Sequence, residues 1–340
     1  MITVAENFNI RHNNTFAMDV TCRRWVDYTS ESDVWQFVDE LSAGHAKCIG
    51  EGSNLLFTGD YTGSLLHSRI MGMDVEMDGR DMLITAGSGM HFDDLVAHTA
   101  AANRSGLENL TDIPGQVGAA AVQNIGAYGV EAKDVIESVR CIDTHTRRVT
   151  VLPAADCAYG YRESLFKNEP NRFVVVAVTF RLSGNAVPRI DYGNLRERLG
   201  DTAATPQAVR DAVREIRAEK LPPLPEVGSA GSFFKNPVVA EEEFIRIQNL
   251  ALQEWGEDTR VPHYMLPDSM VKIPAAWLIE RCGWKGKQLG NAGVWHKQPL
   301  ILVNLGGASP DDIVELENRV ISSVSERFGI HLSPEVEHIA

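Results

Sequence analysis

The sequence lacks the features of a secreted, membrane-bound or zinc-binding protein. Its five cysteines include no Cys-x-x-Cys pair, which predicts free thiols in a reducing compartment and gives no support for a zinc site. The first ten residues lack the basic and apolar regions of a signal peptide. The longest strongly apolar run, Phe173 to Phe180, is too short to span a membrane. We therefore expect a cytoplasmic protein with no membrane partner and no bound metal.

The sequence is also short of positive charge. It has 32 Lys and Arg against 46 Asp and Glu, which gives a formal net charge of −14. This balance argues against a nucleic-acid partner, although a local cluster of Arg and Lys would still be enough to hold an anionic small molecule. A length of 340 residues favours two or three domains.

The common nucleotide-binding motifs are missing as well. The pattern G-x-x-x-x-G-K-[ST] does not occur, and neither Gly50–Asn54 nor Gly87–Gly89 completes a dinucleotide fingerprint. The loop Gly50-Glu51-Gly52-Ser53-Asn54 nevertheless follows a predicted strand, Ala46 to Ile49, and offers several N–H groups and a hydroxyl to phosphate oxygens. A plain turn is the alternative interpretation of this loop.

What the sequence does contain is a stretch rich in small residues, from Pro114 to Gly129. It reads P-G-Q-V-G-A-A-A-V-Q-N-I-G-A-Y-G, with four glycines and four alanines. Such composition is typical of backbone that approaches a ligand closely, because glycine has no Cβ. The alternative is tight helix packing followed by a glycine cap, and the residues of this stretch alone do not decide between the two.

Helical and strand patterns are mixed without regular alternation, which predicts an α+β protein of at least two units. The proline-rich segment Leu221 to Pro225 is typical of a domain boundary. The predicted elements include helices at Asp33–Leu41 (capped by Ser32 and ended by Gly44), His91–Ala102, Glu241–Trp255 and after Ser309-Pro310, a hairpin of Val135–Ile142 and Arg148–Leu152, and a strand at Arg172–Leu182.

Three polar residues have surroundings that suggest chemistry. Ser232 lies in a glycine turn beside two phenylalanines, but it does not match G-x-S-x-G and is therefore not expected to be a hydrolytic nucleophile. Arg162 follows two tyrosines, and Glu335 lies near the C-terminus. Each has an ordinary alternative: a docked turn for the serine, a surface ion pair for the arginine, and a solvated, frayed tail for the glutamate.

Taken together, the motifs resemble a known family. In order they are N-T-F at Asn14, G-E-G-S-N-L-L-F at Gly50, G-L-E-N-L at Gly106, I-P-G-Q-V-G through Q-N-I-G-A-Y-G-V-E ending at Glu131, Y-G-Y-R-E-S at Tyr159, A-G-S-F-F-K-N-P at Ala230 and S-P-E-V at Ser333. This ordered set, which covers nearly the whole chain, resembles the UDP-N-acetylenolpyruvoylglucosamine reductases, flavoenzymes of peptidoglycan precursor synthesis.

The resemblance implies an FAD-binding domain of the PCMH (vanillyl-alcohol-oxidase-like) type, followed by a separate α+β substrate-binding domain. The implied boundaries are 1–70 with the tail 330–340 for a first FAD-binding subdomain, 71–219 for a second, and 220–329 for the substrate domain. FAD would be bound noncovalently, and NADPH would be the co-substrate. The implied function is reduction of the enolpyruvyl group of UDP-N-acetylglucosamine-enolpyruvate to D-lactyl, by a protein expected to be monomeric.

The resemblance also implies residue roles. Arg162, Ser232 and Glu335 fall on the catalytic positions. FAD contacts are implied for Gly50, Glu51, Gly52, Ser53, Asn54, Leu55, Pro114, Gly115, Gly118, Ala119, Gln123, Asn124 and Gly126. Substrate contacts are implied for Tyr128, Tyr192, Arg217, Lys220, Asn236 and Gln288, of which Tyr192 is present in only one subgroup.

Two departures from the family pattern stand out. Ala119-Ala120 occupy positions where some members have Ser-Ser, and Glu337 replaces a basic residue expected in some members. Two other functions remain as alternatives: a PCMH-fold flavin oxidase that uses oxygen, and a catalytically silent nucleotide-binding module. Neither the oxidase nor the silent module accounts for Arg162, Ser232 and Glu335 together.

Overall fold

The computed structural model describes residues 1–185 and 187–340. The strands are β1 (Ile2–Asn9), β2 (Thr21–Tyr28), β3 (Ala46–Ile49), β4 (Leu55–Phe57), β5 (Tyr61–Ser68), β6 (Met73–Asp78), β7 (Asp81–Gly87), β8 (Gly126–Ala127), β9 (Val130–Glu131), β10 (Ile136–Asp143), β11 (Arg148–Pro153), β12 (Phe173–Leu182), β13 (Val238–Ala240), β14 (Tyr264–Leu266), β15 (Met270–Lys272), β16 (Gln288–Leu289), β17 (Ala292–Val294), β18 (Leu302–Asn304) and β19 (Glu337–Ile339). The α-helices are α1 (Glu31–Val34), α2 (Val38–Ser42), α3 (Phe92–Ala101), α4 (Val117–Gln123), α5 (Leu165–Asn168), α6 (Leu195–Leu199), α7 (Pro206–Lys220), α8 (Glu241–Trp255), α9 (Ala275–Arg281) and α10 (Pro310–Phe328).

The chain divides into two compact units. The first comprises residues 1–9, 21–52 and 61–219, and the second comprises residues 10–20, 53–60 and 220–340. The first unit contains a four-stranded sheet of order β1-β2-β5-β3 and a five-stranded antiparallel sheet of order β11-β10-β12-β7-β6. In the four-stranded sheet, β5 runs parallel to both β2 and β3.

Strand β12 contributes to two hydrophobic cores of the first unit. Val175 packs in a core with residues of α3 and α4, whereas its neighbours Val174 and Val176 pack in a second core with residues of β2 and α2. Successive side chains of a strand point to opposite faces of its sheet, so a strand buried on both faces needs apolar residues at nearly every position. This explains why six successive residues, Phe173 to Val178, are apolar.

The second unit is built from small sheets and three longer helices. Its sheets have the orders β13-β15-β14 and β16-β17-β18, and β19 pairs with β4 in parallel. The predicted C-terminal helix is confirmed as α10, which begins with a capping box in which the Ser309 side chain accepts from the backbone of Asp312. Its apolar face, from Ile313 to Phe328, is fully buried at every fourth or third position, as the periodicity predicts.

The largest differences from the predicted elements occur before residue 60. Strands β1 and β2 were not predicted. The predicted helix Asp33–Leu41 is instead α1 and α2 separated by a 3-10 turn at Trp35–Phe37. The cap of α1 is Ser30 and not Ser32, because Ser30 and Asp33 bond each other's backbone in a capping box.

Within the described ranges, 1–185 and 187–340, no helix combines the length and the apolar character needed to cross a membrane.

Candidate active site

Two glycine-bearing segments lie against each other in the first unit. A Cβ placed on Gly50 would come within 3.2 Å of the Cβ of Ala119, so the Gly50 loop approaches α4 closely. The carboxyl group of Glu51 accepts a hydrogen bond from the backbone of Gly115 and lies 2.8 Å from His91 Nε2. Burial raises the pKa of Glu51 above its ordinary value. Two segments predicted to line a cofactor are thus neighbours, although they are more than 60 residues apart in the sequence.

The glycine-rich stretch contains a short helix, α4, whose packing explains one of its glycines. A Cβ on Gly118 would lie 2.8 Å from the Cβ of Ser88, and the Gly118 N–H donates to the Ser88 carbonyl at 3.0 Å. The interpretation of tight helix packing is therefore correct at this position. The cap is Asn124, in the left-handed conformation at φ 43°, and not a glycine.

A buried chain of hydrogen bonds, which the sequence analysis missed, holds the segment before α4. Gln116 Nε2 lies within 3.2 Å of the carbonyls of Ser68 and Gly89 and 3.0 Å from His67 Nε2. His67 Nδ1 lies 2.7 Å from Asp27 Oδ1. Burial lowers the pKa of His67, so its neutral ring donates from Nδ1 to Asp27 and accepts from Gln116 at Nε2. Asp27, His67 and Gln116 are far apart in the sequence, where no motif joins them.

Arg162 is fixed against the glycine-rich stretch. Its Nη2 donates to the carbonyl of Gly126 at 2.8 Å, and a Cβ on Gly126 would lie 3.1 Å from Nη1. Arg162 itself has a φ of 58°, which is uncommon for a residue with a side chain. Asn124 is fully buried and donates to the carbonyl of Gly160 at 2.7 Å, which ties the Arg162 loop to the end of α4. Glycine at 126 therefore makes room for the guanidinium group.

Three residues predicted to bind substrate cluster in the first unit. The rings of Tyr128 and Tyr192 meet edge to face, with centroids 6.4 Å apart. Tyr128 and Arg217 interact electrostatically, and Arg217 donates to the backbone carbonyl of Asp112 at 3.0 Å. Burial raises the pKa of Tyr128 and lowers that of Arg217, because water is largely excluded from both groups. A largely buried arginine beside a tyrosine hydroxyl is suited to hold an anionic group.

In the second unit the chain around Ser232 pairs with the C-terminal tail. The backbone N–H of Glu335 donates to the carbonyl of Phe233 at 2.7 Å, and that of Lys235 donates to the carbonyl of Ser333 at 2.9 Å. Asn54 Nδ2 also donates to the Glu335 carbonyl, at 3.2 Å. The interpretation of Glu335 as part of a frayed tail is therefore wrong, since its backbone is held on both sides. The side chain of Ser232 is exposed.

The remaining predicted site residues lie in varied settings. Asn236 Oδ1 accepts from the backbone of Ala275 at 2.9 Å and so caps the start of α9. The carbonyl of Lys220 accepts from the Trp295 ring at 3.0 Å. Leu55 is buried in β4, Gln123 ends α4, and Gln288 is exposed in β16.

Comparison with known proteins assigns the chain to a family. Residues 26–151 match the family model described as an FAD binding domain, and residues 223–339 match that of the UDP-N-acetylenolpyruvoylglucosamine reductase C-terminal domain. A UDP-N-acetylenolpyruvoylglucosamine reductase from Porphyromonas gingivalis is 41% identical to this chain, and the alignment covers 99% of each protein. One from Bacteroides fragilis is 42% identical over 98% of this chain and 99% of its own.

The chain belongs to the UDP-N-acetylenolpyruvoylglucosamine reductase family.

The same fold is seen in a solved structure. The UDP-N-acetylenolpyruvylglucosamine reductase of Thermus caldophilus superposes with a TM-score of 0.66 at 22% identity, covering 100% of this chain and 99% of its own. The predicted α+β architecture is thereby confirmed: an FAD-binding domain followed by the C-terminal domain of the reductase family.

Membership in the UDP-N-acetylenolpyruvoylglucosamine reductases also confirms the predicted activity. The chain is an FAD-dependent oxidoreductase of peptidoglycan precursor synthesis, with NADPH as co-substrate. The arrangement in the first unit fits FAD. The Gly50 loop and α4 meet where Gly50 packs against Ala119, so two segments that the sequence predicts to contact FAD lie side by side.

Proposed function

We propose that Arg162, Ser232 and Glu335 carry out the reduction of the enolpyruvyl group. The observation that supports this assignment best is the pairing of the tail with the serine turn, in which the Glu335 N–H is bonded to the carbonyl of the residue that follows Ser232. A second support is the bond from Arg162 to Gly126, which fixes the guanidinium group beside the glycine-rich stretch.

When bound, reduced FAD supplies a hydride to the terminal carbon, C3, of the enolpyruvyl group. Negative charge then develops on the substrate carboxylate, and a fixed donor aimed at such charge is commonly worth about 3 kcal/mol. Arg162 supplies a permanent cation with two parallel N–H donors for that carboxylate. A protonated Glu335, or a water that it orients, donates a further hydrogen bond, whereas a bare carboxylate would repel the charge.

Ser232 donates the proton that C2 receives. A serine hydroxyl is a weak acid, so a positive charge must polarise it, and the candidates are Lys220 and Lys235. Of these, Lys235 is part of the paired segment, because its backbone N–H is bonded to Ser333. The net change is addition of a hydride at C3 and a proton at C2, which converts the enolpyruvyl ether into the D-lactyl ether.

The nucleotide part of the substrate is bound by polar residues outside this set. Tyr128 and Arg217 are suited to an anionic group because they are close together and largely buried. Tyr192, which is about half exposed and packs on Tyr128, covers the bound substrate. Lys220, Asn236 and Gln288 supply further contacts.

The predicted cofactor contacts also stand as a proposal. They are Gly50–Leu55 together with Pro114, Gly115, Gly118, Ala119, Gln123, Asn124 and Gly126. A Cβ at Gly118 would collide with Ser88, and the Asn124 side chain is bonded to the Gly160 carbonyl. These two residues would therefore contact FAD through their backbone.

The domain boundaries given above are proposed as well. The division of the chain between Glu219 and Lys220 supports the start of the substrate domain, whereas residues 10–20, 53–60 and 330–340, which the proposal places in the first FAD-binding subdomain, group with the second unit. We further propose that the enzyme works as a monomer in the cytoplasm, where NADPH and UDP-sugars occur. Light scattering of the purified protein tests the first point, since a monomer has a mass of 37.4 kDa. Cell fractionation tests the second.

Stopped-flow measurement of the two half-reactions tests the catalytic assignment. Ser232→Ala should leave flavin reduction by NADPH unchanged and slow reoxidation by the enolpyruvyl nucleotide at least about 100-fold, because the proton donor is lost. Ser333→Ala is the matched control, since its exposed hydroxyl lies in the paired tail but only its backbone carbonyl is used. Equal slowing of both half-reactions by Ser232→Ala would contradict the role of proton donor.

A further inference from the structure

The tail strand β19 carries a histidine that is attached to the interior of the second unit. His338 Nε2 lies 2.7 Å from Oε2 of Glu317, which projects from α10. The ring of His338 also meets the ring of Phe233 edge to face, with centroids 6.0 Å apart. Phe233 is the residue whose carbonyl accepts from Glu335. His338 therefore contacts both the helix below the tail and the turn that carries Ser232.

The charges favour a protonated ring. Glu317 is only 6% exposed, and a buried carboxylate needs a cation or several donors to offset its lost hydration. The His338 ring has a second hydrogen bond, to the backbone of Val336, that also favours protonation. A neutral imidazole has a single N–H, so only the imidazolium can donate to two acceptors. These bonds raise the pKa of His338 above its ordinary value, with the Glu317 bond contributing most.

Among the titratable groups near this ring, Glu317 is the one whose charge raises the pKa of His338. Strand β4, which pairs with β19, consists of Leu55, Leu56 and Phe57. The facing turn contributes the ring of Phe233 and carries one titratable residue, Lys235, two positions later. On the tail itself, Glu335 lies three residues before His338 and is half-buried, and Glu337 is exposed.

Asn54 holds the backbone of the tail on both sides of Val336, the residue whose backbone bonds to the His338 ring. The Glu337 N–H donates to the Asn54 carbonyl at 3.0 Å, and the Asn54 side chain donates to the Glu335 carbonyl at 3.2 Å. Since β19 is only three residues long, few ladder bonds hold it, and the ion pair of His338 with Glu317 adds a side-chain attachment to α10.

We propose that His338 is a positioning residue: paired with Glu317, it fastens the C-terminal tail so that the carboxyl group of Glu335 is held at the site of enolpyruvyl reduction. The inference rests on the proposed catalytic role of Glu335. The attachment is complete while the ring is protonated and weakens as the pH rises through the raised pKa of His338. Reduction of the enolpyruvyl group should then slow on the alkaline side, whereas reduction of the flavin by NADPH should not.

The test uses the FAD-loaded enzyme and compares four single substitutions and one double variant. Glu335→Gln tests the proposed catalytic role of that residue directly. His338→Gln keeps one donor without the charge, and Glu317→Gln removes the charge from the other partner. His331→Gln is the matched control, because His331 is an exposed histidine at the start of the same C-terminal segment. Each half-reaction is followed by stopped flow between pH 6 and 9, and hydrogen exchange of a peptide that covers residues 331–340 is measured in parallel.

His338→Gln and Glu317→Gln should each slow reoxidation by the enolpyruvyl nucleotide about 10- to 100-fold, the effect of a small misplacement of a catalytic group. Because the two act as one unit, the double variant should be no slower than either single variant. Both should lose the alkaline decline of this step and exchange faster in the tail peptide, while His331→Gln and the flavin-reduction step stay unchanged.

Three results would overturn the inference. If Glu335→Gln slows reoxidation but His338→Gln does not, the tail is held without the ion pair and the proposed function stands. If His338→Gln slows both half-reactions equally, or loses FAD, then its role is in general stability and not in positioning Glu335. If Glu335→Gln itself reoxidises at the normal rate, the catalytic role of Glu335 fails, and the positioning role fails with it.

Discussion

Replacement of Gly126 by alanine should disturb catalysis without disturbing the backbone. The φ of Gly126 lies outside the left-handed region, so alanine can adopt the same conformation. The added methyl group, however, would lie 3.1 Å from Arg162 Nη1, 3.0 Å from Glu131 Cγ and 3.1 Å from the carbonyl of Val130. Relaxed contacts between such heavy atoms begin at about 3.5 Å, so the neighbours must retreat by about 0.4 Å or more.

The side chain of Arg162 can move most readily, since Val130 is constrained by its backbone. A retreat of this size strains the 2.8 Å bond from Nη2 to the Gly126 carbonyl and turns the guanidinium group. Complete loss of a donor to developing charge typically costs a factor of about 100 to 1,000. For a displaced but present donor we expect a slowing of about 10- to 100-fold, or roughly 1.4 to 2.7 kcal/mol in the barrier.

The assay is again stopped flow of the two half-reactions. Gly126→Ala should slow reoxidation by the enolpyruvyl nucleotide and leave flavin reduction by NADPH within about twofold. The matched control is Gly160→Ala, because a Cβ at Gly160 would meet only Glu163 Cβ, at an ordinary 3.5 Å. A Gly126→Ala enzyme with unchanged reoxidation would refute the claim that glycine is needed there to seat Arg162.

The other predictions concern packing, capping and reactivity. Gly118→Ala should destabilise the protein by about 1–3 kcal/mol in urea unfolding, because its Cβ would lie 2.8 Å from that of Ser88, and Ser88→Gly in the same chain should recover part of the loss. Asn236→Ala should lose about 1 kcal/mol from the missing cap of α9, whereas Asn236→Asp, which keeps the acceptor, should retain it, and thermal unfolding distinguishes the two. Cys141 is fully buried and burial raises its thiol pKa to about 12, so iodoacetamide at pH 8 should modify it only after denaturation.

Elements with a long, regular pattern were predicted well from the sequence. Helix α8 has the predicted bounds Glu241–Trp255, and β12 differs from its prediction by one residue. Strands β1 and β2 were missed because side-chain alternation is weak in both, as the burial of neighbouring positions in β2 shows. Their stability comes from pairing with each other and with β5, and such long-range pairing leaves little local trace in a sequence.

Site residues that belong to a motif could be predicted from the sequence, whereas isolated ones could not. Gly50 and Ala119 belong to recognisable motifs, and the structure brings those motifs together. The buried chain from Asp27 through His67 to Gln116 had no signal, because its members are single polar residues in unrelated segments. A buried polar residue can be recognised only from the groups that it bonds to, and these groups come together only when the sheet forms.

The C-terminal tail shows how a departure from a family pattern can be misread when only one position is compared. Glu337 stands where a basic residue is expected in some members, which alone would argue for a weakened tail. Successive residues of a strand point to opposite faces, so Glu337 in β19 points to solvent while His338 points to α10. Here the cation that meets Glu317 is supplied by His338, one position later, and the exposed charge of Glu337 is not part of that attachment. The attachment of the tail to α10 therefore depends on which face of β19 carries the positive charge, and not on the residue type at position 337.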